Sequence, residues 1–558
     1  MRKILAALLA LAMVLALVPA VMAEGEALEP ITLTVFRGDP GDQPTADNKI
    51  YKLIEEKFGV TFNFSFLTGD LDETLGIKIV GKDYPDLFDG GNSAEILEDA
   101  DVLIDLLPYI SEEKTPNLYK HLHSTNVKLD QLLSKDGKLY IIPNYGVLYN
   151  KNIKRYNGPS FFAQKKVIEW NNYVVPKTVD EYFAMLEGYL AEHPTAEDGT
   201  PYTGFAILCE DWRRFCLINP VQHLMGRPND GEVIVDVDDP EFATWTFIDQ
   251  DYAKPYYAKL NDIYHKGLIS ADTFVMNYDQ YIAALSSGYV LGMFDQAWDF
   301  DTATASLRTA EKYAETFLPI PLLYDADDLE GIALPSENWK IEEHYINGDV
   351  INRDRGFGIA ATAENPERLV GLLDTLLSDE WQVLLQWGVE GEDYFIDENG
   401  RMNMTQEQYN NRNDAEWKRA NKADAIFTSA PKKQGTMDNG NAWDPQNQPE
   451  IISANEPQYD KDLYAKLGIK AIEELFNPAI QLAPYGEAWQ INKEPIDIDY
   501  QKWLSIQMEW LPKIIMCDPS EIDANFKAFQ EEIAPYSKIY ADFMHEEILK
   551  QVYPERYQ

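Results

Sequence analysis

An α/β fold, with helices covering a mostly parallel sheet, is what the start of this chain predicts. Two observations carry that reading: apolar residues recur with period two in some segments and at helical spacing in the segments between, and the two kinds alternate. In "ITLTVF" the residues Ile31, Leu33 and Val35 share one face, and "RGDPGD" then turns the chain. "NKIYKLIEEKFG" sets Ile50, Leu53, Ile54 and Phe58 on one helical stripe and stops at Gly59. "VTFNFSF" alternates Val60, Phe62, Phe64 and Phe66 against Thr61, Asn63 and Ser65, a second strand. A helical stretch over 72–80 leads through "KDYPDLFDGG" to a short strand around Leu87.

The middle of the chain keeps the alternation. Thr178-Val179-Asp180-Glu181, after Pro176, predicts a capping box, with Phe183, Leu186 and Leu190 on the buried stripe. Asn365-Pro366-Glu367 predicts a capped helix with Pro at its first position, before Leu369, Leu372, Leu373 and Leu376. "DENG", 397–400, reads as a hairpin tip. Residues 403–445 are polar and aperiodic and read as long surface loops. The tail returns to helix, with Trp503, Ile506, Trp510 and Ile514, then Ile522, Phe526, Phe529 and Ile533.

The N-terminus predicts export. Arg2 and Lys3 precede an apolar run from Ile4 to Val18 and the pattern Val21-Met22-Ala23, so residues 1–23 read as a signal peptide cleaved after Ala23. Glu24 follows in place of a lipid-modified Cys, and the nearest Cys is Cys209, so no lipid anchor is expected. The mature chain, about 535 residues, is long enough for roughly two to four domains. The formal charge is −45, and losing Arg2 and Lys3 takes it to −47. That acidity, with no basic stripe, excludes nucleic acid as a partner and favours a neutral ligand over a polyanion. On one helix Cys209 and Cys216 would lie about 10 Å apart, too far to bridge, so buried free thiols are expected. His121 and His123 fall on different faces of a helix, which argues against a metal site. His-Glu-x-x-His, Gly-x-Ser-x-Gly and P-loop patterns do not occur.

At "DGKLYIIPNYGVLYNKN" (136–152), followed later by "PKTVDEY" (176–182), the chain resembles the solute-binding proteins of ABC importers. The resemblance is to the carbohydrate-binding group that includes maltose-binding and alginate-oligosaccharide-binding proteins. Six further phrases stand in the family's order: "GKDYPDLFDGGNSAEIL", "GFAILCEDW", "KGLISADTF", "SGYVLGMFDQAW", "GFGIAATAENPERL" and "WGVEGEDYFIDENG". Together they span roughly 31–400, and the last 150 residues match loosely. The resemblance implies a two-lobed, type II periplasmic-binding-protein-like fold with an extended helical C-terminus. It implies a hinge crossed three times, near 147–150, 298–301 and 354–357, which gives an N-lobe of 24–147 plus 300–355 and a C-lobe of 148–299 plus 356–558. Two departures matter. Where the alginate-binding relatives carry a calcium loop, this chain reads "EHPTAEDGTPY", without alternating oxygen ligands, and 153–175 is longer than the family norm.

The implied function is capture of an oligosaccharide in an interlobe cleft and delivery to the permease subunits of an ABC transporter. The chain would act as a monomer outside the cytoplasmic membrane, with no catalytic residue, cofactor or metal. The family's contact positions carry over to Asp39, Asn92, Asn144, Tyr145, Glu210, Trp212 and Trp298. Residue chemistry adds more, because flat aromatics meet the C–H faces of sugar rings while Asp, Glu, Asn, Gln and Arg meet the hydroxyls. "CEDWRR" offers Arg213, "FDQAWDF" offers Asp295 and Gln296, and "WGVEGEDY" offers Trp387, Glu390 and Tyr394. Arg213 is equally open to pairing a structural acid, Trp387 is open to either site or core, and Trp443 leans to packing. Trp503 and Trp510, among apolar residues at helical spacing, are assigned to packing. Two rival readings are a binding protein for a peptide or other non-sugar solute and a secreted glycoside hydrolase, which would need two carboxylates about 5–9 Å apart.

Overall fold

The computed structural model describes residues 29–123, 129–134, 136–144, 146–150, 158–227, 231–335, 339–342, 355–477, 485, 488–553 and 556–557. The expected export signal, 1–23, and Tyr145 lie outside these. The chain forms two compact units, the first from 1–152 and 351–451, the second from 153–350 and 452–558.

The first unit grows from the predicted alternation. Asn48 starts the Lys49–Phe58 helix by accepting from the amides of Ile50 and Tyr51, and Gly59 ends it in the left-handed region at φ 62°. Ile50, Ile54 and Phe58 are thereby pressed onto Leu33, Val35, Val60 and Phe64 of the sheet below. Ile31–Arg37 pairs in parallel with Val60–Phe66 and with Leu87–Phe88. Gly356–Ile359 then enters antiparallel to both Leu87–Phe88 and Ile142–Pro143, which completes a five-stranded mixed sheet. Helices Pro366–Leu376 and Asp379–Gln386 add Leu369, Leu373 and Trp381 to the same core.

The second unit holds a four-stranded sheet in the order Phe317–Ile320, Pro159–Gln164, Val290–Gln296, Thr203–Ala206. Only its last pair is parallel, so the sheets are mixed where a mostly parallel sheet was expected. The Pro159–Gln164 strand belongs to the stretch that is long for the family and is interior to this sheet. The tail helices Asp497–Met516 and Ile522–Val552 pack Trp503, Ile506, Ile514, Phe526, Phe529 and Ile533 into the same core. The Trp503 indole donates to Ser537 Oγ at 3.0 Å.

The division of the chain differs from the expected lobes. Residues 300–355 were expected with the first lobe, yet Phe317–Ile320 is hydrogen-bonded to Phe161–Gln164 and buries Leu318 and Ile320 in the second unit. Residues from 356 were expected in the second lobe, yet Phe357 and Ile359 lie in the first unit's core. The chain therefore stays in the second unit through 298–301 and changes unit at 451/452 instead. An apolar strand followed by a turn reads the same whether the next strand pairs with it or leaves, so local sequence does not decide the matter.

Smaller differences have local causes. Glu181 accepts from the Lys177 amide, not from that of Thr178, so only half of the predicted box forms, with Thr178 Oγ1 accepting from Glu181 N. Asn365 sits at φ 56° without a side-chain cap, and Pro366 alone sets the start of its helix. Residues 403–445, expected as loops, hold helices Gln406–Asn413, Ala415–Asn421 and Asp424–Phe427 and the strand Lys432–Gly435. The first two of these helices bury no residue fully and are started by the Thr405 capping box and by Asp414, so no apolar stripe announces them. The "DENG" hairpin forms between Phe395–Ile396 and Met402–Asn403, with Gly400 at φ 76°. Cys209, Cys216 and Cys517 are free thiols. Among the described residues no helix is long and apolar enough to cross a membrane.

Candidate ligand-binding site

In the second unit two neighbouring parallel strands, Thr203–Ala206 and Val290–Gln296, end on one edge, with Ala206 level with Met293. Ligands of α/β sheets gather beyond such carboxyl ends. Each strand delivers a tryptophan there: Trp212 on the short helical turn Asp211–Arg214, and Trp298 on the turn before the Asp301–Thr309 helix. Both are half-exposed, at 45% and 43%.

The two indoles are nearly parallel, with centroids 5.8 Å apart and 14° between planes. Phe215, itself buried, lies 5.9 Å from Trp212 and 6.3 Å from Trp298, at 24° and 38°. In a single column the outer two rings would be twice as far apart as neighbours. Three similar spacings describe a broad aromatic patch instead, within the range of favourable offset packing.

Polar groups fringe the patch. Gln296 Oε1 accepts from the Trp298 indole at 2.8 Å and fixes that ring. Glu210, exposed, accepts from the Tyr278 amide at 2.6 Å, capping the Tyr278–Ser287 helix from a distant part of the chain. Arg213 donates from Nε to Asp299 Oδ1 at 3.0 Å. Its guanidinium lies 3.8 Å from the Tyr278 ring centroid and 4.4 Å from that of Trp212. Asp299 Oδ2 is buried and without a hydrogen-bond partner among the described residues. Burial pushes the Asp299 carboxyl up, against the opposing pull of Arg213.

Asp295 does not belong to this surface. It is wholly buried beneath it, with Oδ2 accepting from Tyr281 Oη at 2.8 Å and Oδ1 from the Gln296 amide at 2.7 Å. Burial, then the neighbouring Asp299, pushes its carboxyl up to about 8. A strand alternates its side chains, so Asp295 points inward where Gln296 reaches the surface.

In the first unit Asp39 follows the Ile31–Arg37 strand. Gly38 lets the chain pass so close to the Gly91 turn that a Cβ there would meet Gly91 N at 2.7 Å. The Asp39 carboxylate is shared by two cations, Arg37 at 3.6 Å and Arg355. Asn144 is 8% exposed, donates from Nδ2 to the Thr428 carbonyl at 3.0 Å, and leaves Oδ1 without a partner among the described residues. Asn92 has its backbone in the Gly91–Ser93 turn, while its side chain, like Tyr145, is outside the description.

Trp387 is core. It is 1% exposed, donates to the Ala442 carbonyl at 3.0 Å and packs edge-on against Tyr394 among Met402, Met404 and Ile451. Glu390 is exposed on the turn after it. Trp443 is buried too, edge-on to Tyr149. The stretch "EHPTAEDGTPY", where the resemblance implied a calcium loop, spends Asp198 internally, on Tyr289 Oη and the Thr200 amide. Among the described residues no three metal-ligating side chains converge. Sequence reading missed Phe215, three residues beyond Trp212 at the start of the next helix, and Tyr278 and Arg355, which no local pattern marks.

No protein-family model matches the chain, and no curated protein does. Solved structures do. The chain is similar to an HMO-binding, ABC-transporter-associated solute-binding protein from Bifidobacterium longum infantis, with TM-score 0.63 and 15% identity over 94% of this chain and 99% of that one. It is similar to an EF-hand mutant of the S. pneumoniae ABC-transporter substrate-binding protein FusA in complex with fructo-nystose, with TM-score 0.60 and 16% identity over 95% and 100%. The alginate-binding protein AlgQ2, solved without calcium ion, gives TM-score 0.53 and 14% identity over 94% and 98%. At these identities the likeness is one of fold: the chain has the α/β fold of ABC-transporter solute-binding proteins.

Proposed function

We propose that this chain is an exported binding protein that captures an oligosaccharide and delivers it to the permease of an ABC transporter. The observation that carries the reading is the half-exposed pair Trp212 and Trp298, held nearly parallel at the strand ends with Gln296 and Glu210 at its fringe. An apolar patch that broad would desolvate the face of a sugar while the fringe takes its hydroxyls. The fold likeness supports it, since proteins of this fold are named as binding HMO, as a complex with fructo-nystose and as binding alginate.

No bond is made or broken in this reading. A hydrolase needs two carboxylates across a sugar bond; beside the patch Asp299 is tied to Arg213 and Asp295 is sealed. The export signal read at 1–23 supports a place of action outside the cytoplasmic membrane, where the protein would meet its permease. A thermal-shift and calorimetric panel of oligosaccharides, peptides and other solutes tests the assignment. Saturable binding of an oligosaccharide without cleavage products is expected; binding of peptides alone, or turnover of the sugar, overturns it.

A further inference from the structure

In the first unit, three cations and two carboxylates form one connected cluster at the ends of the Ile31–Arg37 and Leu87–Phe88 strands. Asp89 is fully buried and takes Arg37 Nε at 3.4 Å, the Gly91 amide at 2.9 Å and Ser429 Oγ at 2.5 Å. Arg37 reaches on to Asp39 Oδ2 at 3.6 Å and gives Nη1 to the Ala425 carbonyl at 3.2 Å, and Arg355 holds the same Asp39 oxygen. The Arg355 carbonyl accepts the Asn144 amide at 2.9 Å. The Thr428 carbonyl accepts from both Asn144 Nδ2, at 3.0 Å, and Lys432 Nζ, at 2.8 Å, which brings Lys432 to the same spot.

The cluster is not neutral. Asp39 and Asp89 answer Arg37 and Arg355, and the next acid, Asp424, is paired with Lys422 at 3.5 Å. Lys432 is left with no carboxylate within 4.0 Å among the described residues, although it is half-buried. Burial, then Arg37 and Arg355, pulls its ammonium down to about 8. A surplus cation held beside two others, in a chain of net charge −45, is an arrangement that an anion would relieve. Donors are to hand: Arg355 has five N–H groups, and only those facing Asp39 are engaged among the described residues. Asn144 Oδ1 adds a buried acceptor with nothing to accept among the described residues, which a hydroxyl would satisfy.

We infer that Arg355, Lys432 and Asn144 form a site for a sugar residue that bears a carboxylate beside a hydroxyl, the carboxylate on the two cations and the hydroxyl on Asn144 Oδ1. The ligand class is thus an acidic oligosaccharide, contrary to what overall charge alone suggests. This rests on the sugar-capture reading for the rest of the ligand.

Calorimetry with the full chain tests it. Tetragalacturonate is compared with its carboxyl-reduced, neutral counterpart, and sialyllactose with lactose, which separates a uronate from a sialate. At least one acid is expected to bind ten-fold or more tightly than its neutral partner. Lys432→Met is expected to weaken that acid several-fold more than its neutral partner, narrowing the preference while Arg355 remains, with an unaltered melting profile; Asn144→Asp is expected to weaken the acid. If neutral sugars bind and neither acid is preferred, or if Lys432→Met leaves the preference intact, the inference fails and sugar capture stands. If no saccharide binds, both fail.

Discussion

Trp212 and Trp298 lie with their rings 5.8 Å apart and within 14° of parallel, although 86 residues separate them in the chain. Two adjacent strand ends bring them together, and each ring is anchored by a different polar group, Arg213 for the first and Gln296 for the second.

Truncating either ring tests whether the patch is a binding surface. Trp298→Ala and Trp212→Ala are each expected to weaken oligosaccharide binding by about 1–3 kcal/mol, the scale of aromatic platforms elsewhere. Both side chains are half-exposed, so melting temperatures should move little. Calorimetry on both variants checks this, and unchanged affinity in both would remove the platform.

Arg213 is expected to act on binding through Trp212. Arg213→Lys keeps a cation near Asp299 but loses the planar contact between Tyr278 and Trp212. Tryptophan fluorescence should shift and affinity should fall several-fold. Arg213→Ala should also destabilise the fold by about 1–3 kcal/mol, because it leaves the buried Asp299 carboxylate unanswered.

Asp295 predicts a pH dependence of stability. Its folded pKa, about 8, lies above the ordinary value of 3.8, so the folded state binds the proton more tightly. The resulting stabilisation is complete below about pH 4 and is lost as pH rises to about 8. His223, buried and pulled down to about 4, acts in the opposite sense below its usual 6.5. The comparison that isolates Asp295 is therefore wild type against Asp295→Asn: denaturant melts from pH 4 to 8 should show a shallower fall for the variant. Parallel curves would refute the assignment.

Lys165 and Asp460 form a buried pair at 2.5 Å that ties the Gln458–Leu467 helix to the Lys165–Trp170 helix, which follows directly on the Pro159–Gln164 strand. Asp460→Asn should cost about 3–5 kcal/mol, since it strands a buried ammonium. Lys165→Met combined with Asp460→Leu should recover most of that. Urea denaturation of the three proteins decides it.

Much of this could be read from residues alone. The Ile31–Phe88 succession of strands and helices, the "DENG" hairpin and the two tail helices follow from period-two and helical spacing, which act within a few neighbours. Trp212 and Trp298 were legible as exposed aromatics because each stands among polar groups at the end of an apolar run. Trp387 stands in similar company, yet it is buried, since Met402, Met404 and Ile451 arrive from later in the chain to cover it. Asp295 and Gln296 look alike in sequence, and strand alternation sends one inward.

What the sequence determined by itself was the kind of fold, most of its local elements and one half of the candidate site. Tertiary structure alone decided which unit takes Phe317–Ile320 and Gly356–Ile359, and it gathered Arg355, Asn144 and Lys432 around one spot. Periodicity reports which face of an element is apolar, but strand partners and charge neighbours come from residues up to hundreds of positions away, and no local pattern encodes them.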